Sequence, residues 1–195
     1  MNFMDRYTVF NKELSYINNE RINKSAKILI DLLPDYFFEV AASSTGKYHP
    51  DFALGVGGLV RHTKAAVRIA HELLNNKCIN NYTSDEKDLI ILSLILHDGI
   101  KHGFIKEKYT KVEHPLLASQ FVKENKNKTQ LSDKEVEYIC EAIESHMGEF
   151  NKDFHNNEIL PLPKNKHCRF VNMCDYLSSK KFLDIKFDDN NNILN

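Results

Sequence analysis

Residues 83–101 read TSDEKDLIILSLILHDGIK. From Leu89 to Leu96 only Ser93 interrupts an apolar run, and periodicity alone leaves helix and buried strand both open. Thr83 followed by Glu86 decides between them. A threonine side chain at that spacing accepts from the third helical N–H while the glutamate reaches back to the threonine's own N–H, an arrangement that opens helices. A helix this apolar on all sides is a buried one. It closes on His97-Asp98, and a carboxylate at the end of a buried helix is costly without a partner. A metal ion would satisfy both side chains.

Further helices follow on either side. Ile22, Ala26, Ile28, Leu29, Leu32 and Leu33 recur at helical spacing between Glu20 and Leu33, and Pro34 stops them. A short helix is expected through Asp35–Ala42. The segment SSTGKYHPDFALGVGG, residues 43–58, is broken by glycine and proline and reads as a loop that could lie over a pocket. Leu59 to Asn75 places His62, Ala65, Ala66, Ile69, Ala70 and Leu73 on one face. After a lysine-rich excursion, HPLLASQFVKEN starts a helix at or near His114, with Pro115 suited to its first turn. Ser132 and Glu135 form a second capping box, and the helix it opens carries His146 to an inward C-terminal end. A last helix from about Lys164 carries Asp175 beside its apolar stripe; FLDIKF, residues 182–187, could form a short strand or hairpin before a polar tail.

The bulk numbers narrow the function classes. At 195 residues the chain is the size of one domain, 1–195, with a helical extension over 1–45 and a polar tail over 184–195. Lys+Arg total 26 against Asp+Glu 27, so no global field draws a long nucleic acid onto the surface. Four cysteines show neither a CxxC pair nor a disulfide framework, which suits a reducing cytoplasm. The N-terminus lacks the apolar stretch of a signal peptide, and no run approaches the ~18 apolar residues of a membrane span.

Four histidines and two aspartates thus fall at inward positions on or at the ends of five predicted helices. Imidazole and carboxylate together suit zinc, iron, manganese, nickel or cobalt. His71, His102, His155 and His167 fall outside the pattern and read as structural or surface residues.

The order His62, His97-Asp98, His114, His146, Asp175 resembles the HD-domain superfamily of metal-dependent phosphohydrolases. GGLVRHT, LILHDGIK, SHMGE and CDYLSSK carry the resemblance, and GGL-x-x-HT and SH-x-GE resemble the HD module of bacterial 3′-to-5′ exoribonucleases. The resemblance implies an all-α single HD-domain bundle, with its HD core over about 47–181, holding two divalent ions, Mn, Fe, Ni, Co, Zn or Mg. His62, His97, Asp98 and Asp175 would hold the first, and Asp98 would bridge to a second on His114 and His146. Asp98 and Lys101 would be catalytic, positioning a bridging water and offsetting phosphoryl charge. One departure stands out: the usual HD-x-GK is here HDGIK, with Gly99 and Ile100 exchanged in character.

Candidate substrate groups are Lys101, Arg61, His49, Lys108, Tyr109, Glu149 and Lys180, each near a ligand or on the glycine-rich loop. A small phosphorylated substrate, a nucleotide or short oligonucleotide, is expected over long nucleic acid or a membrane. Two other readings stay open: a di-iron oxygenase on the same ligands, and a non-catalytic nucleotide-binding regulator.

Overall fold

A computed structural model describes residues 5–47, 49–183, 186–187 and 193–194. Among these residues the chain is an all-α bundle of α1 (Asn11–Leu14), α2 (Glu20–Asp31), α3 (Gly58–Asn75), α4 (Ser84–Leu96), α5 (His114–Asn125), α6 (Asp133–Glu144) and α7 (Lys166–Ser178). Both capping boxes form: Thr83 and Glu86 open α4, and Ser132 and Glu135 open α6. The expected hairpin appears as β1 (Lys186–Phe187) antiparallel to β2 (Ile193–Leu194). The remainder of the polar tail lies outside the described residues.

Every residue of α4 from Asp88 to Leu96 is buried. It packs on α2, α3, α6 and α7, as a helix without a polar face must. One apolar cluster joins it to the N-terminal extension through Phe10, Leu14, Ile22, Leu29, Ile30, Leu33 and Phe37. Burying each such side chain stabilises the fold by roughly 1.5–3 kcal/mol. Polar ties fix the docking. Asp88 accepts the backbone N–H groups of Asn18 and Asn19 at 3.1 and 2.7 Å. Arg21 on α2 donates to both carboxylate oxygens of Glu135 on α6, at 2.5 and 2.8 Å.

The expected helix through Asp35–Ala42 is shorter, a 3₁₀ turn over Asp35–Phe38. Tyr36 and Phe37 are buried there, and Tyr36 Oη donates to the Gly103 carbonyl at 2.8 Å while accepting the His102 N–H at 3.2 Å. The extension thereby pins the turn that follows the His97-Asp98 doublet. Among the described residues no helix is long and apolar enough to cross a membrane.

Candidate metal centre

Local backbone geometry aims each candidate ligand. Helix α3 can begin where it does because residue 58 is glycine: a Cβ there would stand 2.2 Å from the Ala53 carbonyl oxygen. One turn later His62 faces inward, 1% exposed. The departure at Gly99-Ile100 also has a packing cause. A Cβ on Gly99 would meet Leu33 at 2.7 Å, and Ile100 fills the core. Lys101 keeps its spacing and reaches back to Asp98 Oδ2 at 2.5 Å.

The six residues converge. His62 Nε2 lies 2.9 Å from Asp175 Oδ1 and 3.7 Å from Asp98 Oδ2; His97 Nε2 lies 3.3 and 3.5 Å from the same two oxygens. Asp98 Oδ1 faces the other way, 3.0 Å from His114 Nε2 and 3.8 Å from His146 Nε2. Two overlapping groups of three, His62–His97–Asp175 and His97–Asp98–His146, are each compact enough for an ion, and they share His97.

The second nitrogen of every ring is engaged. Nδ1 of His97, His114 and His146 sits 2.6–2.7 Å from the backbone carbonyl three residues earlier, at Leu94, Lys111 and Ile143. His62 Nδ1 meets Ser178 Oγ at 3.1 Å, and that hydroxyl donates to the Asp175 carbonyl at 2.8 Å. These acceptors place each ring's N–H on Nδ1 and leave Nε2 as a lone pair aimed at the centre.

Lone pairs facing carboxylates repel unless a cation lies between them. His114 Nε2 and His146 Nε2 are only 3.3 Å apart. Among the described residues, neither Asp98 Oδ1 nor His97 Nε2 has an aligned hydrogen bond. Without a metal a proton takes up part of this deficit. Burial alone would lower the His97 pKa, but Asp98 and Asp175 outweigh it and raise it to about 10. Burial and then the His97 charge push His146 down to about 3. Both aspartates are held well below the usual carboxylate range, against their burial, Asp98 by Lys101 and His97 and Asp175 by His97 and His62. The donor set therefore suits divalent cations.

A profile of the HD domain matches residues 59–180, more than half of the chain. The chain belongs to the HD domain family. HD domains are the fold of a superfamily of metal-dependent phosphohydrolases, and the buried His/Asp cluster agrees with the HD motif read from the sequence. No curated protein and no solved structure matched the chain.

A cavity of about 650 Å³ opens over the HD centre, bounded by Ala42–Thr45 of the glycine-rich loop, as that loop's composition suggested. His49, Lys101, Tyr109 and Lys180 line it. The His49 ring packs edge-on against His62 at 4.9 Å, and burial above all lowers its pKa to about 3. Three other candidates are placed elsewhere. Arg61 donates to the Phe52, Leu54 and Val56 carbonyls at 2.5, 2.8 and 3.0 Å, so its guanidinium braces the loop. Lys108 faces a separate cleft with Glu107 and Glu113. Glu149 is exposed and outside the cavity lining.

The structure adds residues the sequence did not single out. Phe150, Phe154 and Tyr176 line the cavity, exposed by 54%, 93% and 39%, and Lys180 Nζ lies 3.7 Å from the Tyr176 ring centroid. Asn172 donates to the His146 carbonyl at 2.6 Å and so holds that ligand's turn. Phe150 and Phe154 stand in a loop without periodicity, where nothing in the sequence marks them.

Proposed function

We propose that the chain hydrolyses a phosphoester of a nucleotide or short oligonucleotide, using two divalent cations. His62, His97, Asp175 and Asp98 Oδ2 would hold one, and Asp98 Oδ1, His114 and His146 the other. The observation that carries this reading is the division of Asp98, whose two oxygens face different pairs of imidazoles. Bound there, the cations supply Lewis acidity to a phosphoryl oxygen and lower the pKa of a coordinated water.

The remaining roles belong to the protein. Lys101 lines the cavity beside Asp98 and offsets negative charge on a phosphoryl group. Tyr109, Phe150, Phe154 and Tyr176 offer aromatic faces of the kind on which bases stack. The balanced net charge favours a short substrate over a long polyanion.

Metal analysis with a panel of phosphomonoesters, phosphodiesters and nucleotides tests the reading. About two ions per chain and turnover of a nucleotide member, retained anaerobically, are expected. A metal-loaded protein that hydrolyses nothing in the panel removes the proposal, and strict dependence on iron and O₂ would replace it with an oxygenase. Asp98→Ala should lose both ions and turnover while keeping its helical circular dichroism.

A further inference from the structure

A second group of metal-binding side chains stands apart from the HD centre. Glu141 near the end of α6, with His167 and Cys168 in the first turn of α7, brings a carboxylate oxygen, an imidazole nitrogen and a sulfur within 4.8 Å of one another. Asp175 follows His167 by eight residues along α7, about 12 Å at 1.5 Å per residue. The two groups share no side chain.

Two of the three edges have the length of ligand pairs around one ion. His167 Nε2 lies 3.5 Å from Glu141 Oε2 and 3.5 Å from Cys168 Sγ. Tetrahedral bonds of about 2.3 Å to sulfur and about 2.0–2.1 Å to nitrogen and oxygen set S and N about 3.5 Å apart, and N and O about 3.4 Å. A thiol-to-imidazole hydrogen bond would account for the Cys168 edge alone. Burial lowers the His167 pKa, against the opposing pull of Glu141. His167 Nε2 thus faces a thiol and a carboxylate oxygen at once, and a cation between the three would bind them all.

Supporting contacts orient the group. Asn165 Nδ2 donates to Glu141 Oε2 at 2.8 Å, and the Tyr138 ring stacks on His167 with centroids 3.7 Å apart. The Glu141 side chain is 45% exposed while that of His167 is 9%, which gives an ion a path in.

We propose that Glu141, His167 and Cys168 bind one zinc-class divalent cation, with water as fourth ligand, and staple α6 to α7. Binding converts the Cys168 thiol to a thiolate and releases its proton to solvent. The site fixes the register of the two helices that lead to His146 and carry Asp175, and it stands whether or not the HD centre hydrolyses phosphoesters.

Cobalt(II) added to the metal-free full chain tests this, because a thiolate ligand gives a near-ultraviolet charge-transfer band that nitrogen and oxygen ligands do not. The band is expected in the parent and in Asp98→Ala, and absent in Cys168→Ser. No band in the parent, or a band that persists in Cys168→Ser, overturns the proposal. Should Cys168→Ser fail to fold by circular dichroism, Glu141→Gln decides. A fall of about tenfold or more in cobalt affinity at the band is expected there, and an unchanged affinity overturns it.

Discussion

Asp88 and Asp98 are two buried carboxylates ten residues apart, near the start and just past the end of α4, exposed by 0% and 2%. Asp88 accepts backbone N–H groups of Asn18 and Asn19, so the fold itself satisfies it. Asp98 has Lys101 on one oxygen, and its other oxygen faces imidazole nitrogens without an aligned hydrogen bond. Burial is the same in both. What separates a structural carboxylate from a binding one is the partner left missing.

The largest expected effect breaks the binding carboxylate while keeping its shape. Asp98→Asn should lower turnover on the best phosphoester by at least ~10³-fold, with metal content falling and the circular dichroism spectrum unchanged. Equal metal content and turnover in this variant would make Asp98 as structural as Asp88. Metal occupancy should also fall as pH falls, since protons compete for the imidazole nitrogens and His97 holds one strongly without metal. Occupancy measured across pH after dialysis checks the sign.

Asp88→Ala is the reciprocal test. It leaves two partly buried N–H groups without their acceptor and should cost about 1–3 kcal/mol in chemical denaturation, with metal content per folded chain unchanged. Loss of metal in this variant would erase the distinction between the two ends of α4.

Ser178→Ala sharpens the comparison at one remove. It takes away the acceptor that holds the His62 ring, so metal affinity should fall about 10–100-fold by competition with a chelator, with the unfolding midpoint nearly constant.

Glu135 is a third carboxylate, held by protein groups outside the site. The Arg21 hydrogen bond, with the Ser132 cap, lowers its pKa from 4.5 to about 2 against its burial. Glu135→Gln should destabilise the fold by about 1–2 kcal/mol at neutral pH. A depressed carboxylate stabilises the folded state above its unfolded pKa. The gap between parent and variant is therefore full above about pH 4.5 and closes as pH falls through about 2. Denaturation midpoints at several pH values read it directly.

The bundle and the six convergent residues could be read in the chain because both rest on local signals. Capping boxes fix where α4 and α6 begin, helical periodicity fixes the inward faces of α3 and α6, and the ligands sit at or near helix ends. Where contacts between distant segments decide, the sequence misleads. Asp35–Phe38 forms only a 3₁₀ turn where a helix reaching Ala42 was expected, with Tyr36 and Phe37 turned into the interior. Arg61 sits beside His62 in the chain, but the Phe52–Val56 loop folds back and occupies its guanidinium. Phe150 and Phe154 reach the cavity from a loop whose path no periodicity encodes.

Three of the four inward imidazoles take their orientation from a carbonyl within their own turn of backbone. Aim set at so short a range does not depend on the segments around the mouth of the cavity. The rim contributed by Ser43–Thr45, Phe150 and Phe154 can consequently change without turning those three rings. The same scaffold can then be refitted for new cargo while the chemistry beneath it stays put.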